Sequence, residues 1–233
     1  MKSYPLILTA AEVRAVLNGT KTQHRVRVKF TRPAPWQIMD EGDDGKPWPF
    51  FQDEFGDYHP MHCPFGVPGD TLYLRETTKR FTGCPVAGKP WPSDAPWVLS
   101  PDGDPYKALL HVVGNEEHVA ALEYHAACVT VPSAHMPRWA SRITVVNESV
   151  RVQRLQDISE EDARAEGVCS ARPQFLSAAE AEDTEDPRIV GYPEGSFARD
   201  NLRRKWSMKH GADSWSRNDW VFALTFKRVE AAR

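Results

Sequence analysis

Nowhere in the chain do apolar residues run to the roughly 18 that a membrane helix needs, so no spanning helix is predicted. The opening "MKSYPLILTAAEVRA" has a short apolar patch but no signal-type cleavage region, which predicts a cytoplasmic protein without a membrane partner. No two cysteines stand in C-x-x-C spacing. Cys63, Cys84, Cys128 and Cys169 are far apart, and in a 233-residue chain of that compartment a disulfide framework is not expected. The tightest metal-like group is "HPMHC", His59, His62 and Cys63, with Cys84 further on. It lacks the second ligand pair of a structural zinc site and reads as surface histidines beside a buried thiol, so neither metal nor cofactor is predicted. An excess of positive charge is also missing: the formal net charge is −3. A blanket DNA binder is strongly basic, so any nucleic-acid contact has to be local. No G-x-G-x-x-G, Walker-type or G-x-S-x-G stretch occurs in a suitable context, and no fixed-period repeat is present.

Against that background one stretch stands out. "NGTKTQHRVRVK", residues 18–29, concentrates Lys21, Arg25, Arg27 and Lys29 with no acidic residue among them. Either it is a solvated strand edge, or it faces something anionic. Before it, "TAAEVRAVLNG" carries Thr9 as N-cap, Glu12 at the capping-box position and Gly19 as a stop, which predicts a helix. After it, Val26, Val28 and Phe30 alternate with Arg25, Arg27 and Lys29, predicting a strand with one apolar and one cationic face.

The rest reads as follows. Residues 33–68, 83–105 and 171–195 are rich in Pro, Gly and Asp and are expected to be irregular insertions in a single domain spanning 1–233, with a short hairpin around "GDD" and "FGD" in the first. "TLYLRE" (71–76) is a strand ending in a charged pair, and "YKALLHVV" a further strand. "AALEYHAACVTV" holds a short helix or another strand. "RITVVNESVRVQRL" is a long bent strand or a hairpin. "DISEEDARAEGV" is a short helix capped by Ser159, with Asp162 at the box position and Gly167 as its end. "SFARDNLRRKWSMKHG" is an amphipathic helix with Phe197, Leu202 and Trp206 inward, and "DWVFALTFKRV" a final strand. The sum is an α+β fold, a strand-rich barrel or curled sheet with short helices.

Four of these segments, "LNGTKTQHR", "CPFGVPGDTLYLRE", "HMPRWASRITVVNESVRVQRLQDISEEDARAEGV" and "WVFALTFKRV", together resemble the ASCH domain of the PUA-like superfamily, in the longer form encoded by bacteriophages and prophages. The resemblance implies a curved β-barrel flanked by short helices, a cleft between them that receives RNA, DNA or a modified nucleoside, and a place in the host cytoplasm. One branch of that family removes the acetyl group from N4-acetylcytidine with a Lys, a Thr three residues later and a Glu on a later short helix. Lys21 and Glu166 match the first and last of these. His24 occupies the Thr position.

The chemistry can be stated from the side chains. Amide hydrolysis needs an activated nucleophile, a group for the oxyanion and an acid for the departing amine. Lys21 in a dry cleft could accept a proton, Glu166 could hold water or protonate the leaving nitrogen, and His24 could serve as a base or fill the pocket. The same three residues would also suit a ribonuclease. Thr22 and Arg25 stand beside them; Arg75 and Glu76 pair with neighbours on an exposed strand end or line the cleft. Trp139 between Arg138 and Arg142 suits base stacking with phosphate contact, or is a core tryptophan with surface arginines. Three functions follow: a module that binds a nucleic acid or nucleoside, which leads; a deacylating amidohydrolase; and a phage accessory protein that contacts a host protein.

Overall fold

The computed structural model describes residues 1–29, 37–39, 50–52, 58–84, 88–90, 94–125, 127–168 and 197–229. The strands are β1 (Ser3–Ile7), β2 (Gln23–Arg27), β3 (Gln37–Met39), β4 (Phe50–Gln52), β5 (Tyr58–Pro60), β6 (Thr71–Arg75), β7 (Thr78–Phe81), β8 (Leu109–His111), β9 (Cys128–Val131), β10 (Thr144–Arg154) and β11 (Trp220–Arg228). The helices are α1 (Ala10–Leu17), α2 (Glu116–Tyr124), α3 (Glu160–Ala165) and α4 (Ala198–His210). The class is α+β. Among the described residues no sheet closes into a barrel: a five-stranded sheet has the order β1-β6-β10-β11-β2, and two three-stranded sheets have the orders β3-β4-β5 and β8-β7-β9. No described helix is long and apolar enough to cross a membrane.

The chain divides into two compact units. One comprises Met1–Gly19, Pro64–Glu148 and Phe226–Arg233, the other Thr20–Cys63 and Ser149–Thr225. In the first unit, α1 starts as its sequence dictates. Thr9 caps it, the Thr9 N–H donates to Glu12 Oε2 at 2.9 Å, and Gly19 with φ +74° ends it. β1 runs parallel to β6, and alternate residues Leu72 and Leu74 of β6 are buried. The stretch before β6 explains its Gly and Asp. The Asp70 carboxylate accepts the Lys2 and Val67 N–H groups at 2.7 and 3.2 Å, and those hydrogen bonds hold its pKa below the ordinary value. Gly66 has φ +77°, and a Cβ there would overlap the Tyr4 ring and that carboxylate. Phe81, Ala95, Leu110, Val119 and Leu122 form a core, with Trp97 edge-on to Phe81. The stretch expected to hold a helix or a strand before residue 132 holds both, α2 and β9.

The second unit is built on Leu155, Ile158, Ala163, Ala198, Leu202, Trp206, Trp215 and Val221. Leu202 and Trp206 are one turn apart on α4, so its apolar stripe meets Ala163 of α3. Phe197 is half-buried at the helix cap. β2 pairs antiparallel with β11, His24 opposite Leu224 and Arg25 opposite Ala223.

Of the two readings of the stretch from Arg142, the long strand holds: β10 is one strand of 11 residues. Other expectations are corrected. The segment 33–68 contains the antiparallel strands β3, β4 and β5, while "GDD", "FGD" and 171–195 lie outside the described residues. The largest correction concerns β2. Its buried positions are Gln23, His24 and Arg25, whereas Val26 and Val28 are half-buried, so no apolar face opposes a solvated cationic one.

Candidate functional site

Lys21 belongs to the turn between α1 and β2, and it is the most deeply buried charged residue there, 1% exposed. Its backbone forms an isolated antiparallel bridge with Glu166, and the Thr22 N–H donates to the Ala165 carbonyl at 2.8 Å. That places the end of α3 against the start of β2. The Lys21 ammonium then donates to Glu166 Oε2 at 2.7 Å and to the Glu166 carbonyl at 3.0 Å.

A glutamate at a helix C-terminus is unfavourable with respect to the helix dipole, and here the cation offsets it. Lys21 satisfies both the carboxylate and one of the carbonyls that the end of α3 leaves without an intrahelical donor.

Arg25 completes the cluster. Nη1 donates to Glu166 Oε1 at 3.0 Å and to Gln23 Oε1 at 3.1 Å, and Nη2 to Asp162 Oδ2 at 3.0 Å. Gln23 Nε2 donates to Asp162 Oδ1 at 2.8 Å, and the half-exposed Arg151 reaches both Asp162 oxygens. Asp162 was expected at the box position of the capping motif. Ser159 does cap α3 by accepting the Asp162 N–H at 3.0 Å, but the Asp162 carboxylate is turned to these cations instead.

Burial pushes the Glu166 carboxyl up, but Lys21, His24 and Arg25 outweigh it and hold its pKa below 4.5. Asp162 behaves alike: burial raises it, the Gln23 hydrogen bond and the charges of Arg25 and Arg151 lower it, and the net position is below 3.8. Both groups therefore bind protons more weakly folded than unfolded. They contribute stability above their ordinary values, and lose it as pH falls through the lower folded ones. The urea midpoint is expected to drop between about pH 5 and pH 3, and the drop to shrink in Glu166→Gln. An equal drop in that variant would rule out this origin.

The positions singled out in the sequence fall into two groups, one in each unit. Lys21, His24, Arg25 and Glu166 are buried in the second unit, with Thr22 exposed beside them. Of the remaining cations of the opening stretch, Arg27 faces Asp219 at 3.6 Å and Lys29 is exposed.

Arg75, Glu76, Arg138, Trp139 and Arg142 belong to the first unit. The expected exposed Arg75–Glu76 strand end is corrected there: Glu76 is 1% exposed. It accepts Arg142 Nε and Nη2 in a fork, both at 2.9 Å, and lies 3.1 Å from His111 Nδ1. Arg142 Nη2 also reaches the Val113 carbonyl, and Arg75 Nε donates to the Met136 carbonyl at 2.8 Å. Trp139 is 36% exposed, so it is not a core residue, and the exposed Arg138 lies over the Tyr73 ring at 4.9 Å.

Sequence reading missed Gln23, Asp162 and Arg151 in one cluster and His111 and Met136 in the other. A signal for the first was present. Lys21, Gln23 and Arg25 recur with the strand period of two, and Asp162 and Glu166 with the helix spacing of four, so each set shares one face. No such periodicity links His111 to Glu76. Among the described residues no His, Cys, Asp and Glu group is arranged to hold a metal ion. Compared with protein-family models, with curated proteins and with solved structures, the chain matches none.

Proposed function

We propose that the protein is an ASCH-type, PUA-like module that recognises a nucleic acid or a modified nucleoside, with the Lys21–Glu166 cluster at the recognition site. One observation carries the reading. The two positions that the resemblance assigns to such a site are 145 residues apart in sequence and share a 2.7 Å ion pair. Burying charges is expensive, and well-packed apolar residues often hold such a place as well or better. A buried cluster of Lys21, Arg25, Glu166 and Asp162 is therefore poorly accounted for by stability alone. In this reading Arg25 is not a phosphate contact. It orients Glu166, and the exposed Thr22 with Lys29 and Arg27 offers the polar surface beside the cluster.

The same contact favours a second reading, deacylation of an N4-acylated cytidine. The lowered carboxyl keeps Glu166 ionised near neutral pH and weakens it as a base, so it would orient the attacking water and not protonate the amine. Lys21, already bound to Glu166, would be the group placed to give the leaving nitrogen its proton, and His24, standing where the hydroxyl nucleophile would be, would take the proton of the attacking water.

The test is a panel of cytidine, N4-acetylcytidine and other modified nucleosides, with binding read by calorimetry and product by chromatography. Binding weakened about tenfold or more in Lys21→Arg and Glu166→Gln, both checked for folding by circular dichroism, is expected for a site built on a paired charge. Product formation lost in both variants selects the hydrolase. A wild-type protein that binds none of the panel sinks both readings.

A further inference from the structure

We infer that the loop from Pro132 to Arg142, in the first unit, is a contact surface for an unpaired base of a single-stranded nucleic acid, with Trp139 as the stacking plane and Arg138 as the phosphate contact. The ligand class rests on the reading above; the residues are others, in the other unit. Trp is normally well covered, and here 36% of it meets solvent.

That exposure is built in. Met136 and Ala140, either side of Trp139 in sequence, are 0% and 1% exposed and share a core cluster with Leu109. The Met136 carbonyl accepts Arg75, the Ser141 hydroxyl donates to the Leu74 carbonyl at 2.9 Å, and Arg142 is held by Glu76 and the Val113 carbonyl. Pro132 and Pro137 precede two 3-10 turns, Ser133–His135 and Arg138–Ala140. The loop is thus fixed from both ends, and it presents one indole.

Charge narrows the occupant. From Tyr124 to Asn147 the sequence has no Asp or Glu, in a chain that is acidic overall. Arg138 is exposed with Tyr73 beneath it, so the outer face of its guanidinium is open to a second planar group or to a phosphate. The other exposed positions of the loop are Pro132, Ala134, His135, Arg138 and Arg142, which do not make the broad apolar patch of a protein-docking hot spot. A base in a duplex has both faces covered; a base in a single strand has faces free to stack. Arg142 is spent on holding the loop.

The experiment is fluorescence anisotropy with labelled single-stranded RNA and DNA of about 12 nucleotides, and with the matching duplex, across a salt series. Single strands are expected to bind more tightly than the duplex. Trp139→Ala should weaken them about tenfold, Trp139→Phe should retain most of the affinity, and Arg138→Ala should reduce the salt slope by about one. A preference for RNA or for DNA identifies the strand and supports the inference. Equal binding of the duplex, failure of every oligonucleotide to bind, or unchanged binding by Trp139→Ala overturns it. In the last case nucleoside binding that still depends on Lys21 would leave the earlier reading standing. Thermal melting checks that these exposed-site variants remain folded.

Discussion

Glu166→Ala is expected to cost about 3–5 kcal/mol of unfolding free energy at neutral pH, a drop of roughly 10 °C or more in melting temperature for a chain of this size. The substitution removes the shared partner of two buried cations. The Lys21 side chain is 0% exposed and that of Arg25 1%, so the substitution leaves both cations away from water in this arrangement. Arg25 keeps Asp162 and Gln23. Lys21 keeps the backbone carbonyl of position 166 but loses the carboxylate at 2.7 Å. Lys21→Met is expected to cost less than Glu166→Ala, because the Glu166 carboxylate then still has Arg25 Nη1. Lys21→Met combined with Glu166→Leu is expected to be more stable than the sum of the single losses, since no lone charge stays buried between those two positions. Urea unfolding of the four proteins measures the coupling. A Glu166→Ala protein within about 1 kcal/mol of wild type would mean that the cluster reorganises or admits water, and that its burial is not rigid.

The question raised by the cationic stretch at 18–29 thus has an answer inside the chain. Lys21 and Arg25 face anions, and the anions are Glu166 and Asp162. Local signals were legible where they act locally. Thr9 and Glu12 set the start of α1, Ser159 that of α3, and the spacing of Leu202 and Trp206 the buried face of α4. What failed was the burial of β2. Alternation of Val and Arg assigns the apolar face inward, but that rule assumes that charges have no partner inside. The partner lies at the end of a six-residue helix far along the chain, and the period of two in one segment and the spacing of four in the other do not say that the two faces meet. The same holds for Glu76, which reads as a solvent-facing strand end until Arg142 and His111 are brought to it. Trp139 was open between two readings, base stacking and a place in the core, and it is exposed. Its type predicts burial, whereas the neighbours that take the buried places are the smaller Met136 and Ala140.

Glu76 supplies the second large effect, and its sign depends on which partner is removed. The carboxylate is 1% exposed, whereas the side chain of Arg142 is 33% exposed. In Glu76→Gln the released guanidinium can turn to water and keep the Val113 carbonyl, so a loss of about 1–2 kcal/mol is expected. In Arg142→Ala the buried carboxylate stays behind with the His111 imidazole beside it, and the cost is expected to reach about 3 kcal/mol or more.

The pH dependence separates the two cases. In the wild type burial pushes Glu76 up, but the hydrogen bonds and charges of His111 and Arg142 prevail and its pKa lies below 4.5. Its contribution is therefore present above that value and is lost in acid. Without Arg142 burial is opposed by His111 and no longer by the guanidinium, so the folded carboxyl is held down less than in the wild type. The folded variant then binds this proton more tightly than the folded wild type does, so the deficit of Arg142→Ala relative to wild type should grow as pH rises from about 3 to 7. Urea midpoints at the two pH values, with Glu76→Gln/Arg142→Ala as the control that removes the titrating group, give the measurement. A deficit that stays constant with pH, or that persists unchanged in its pH slope in the double variant, would show that Arg142 acts through packing of the Pro132–Arg142 loop and not through the charge of Glu76.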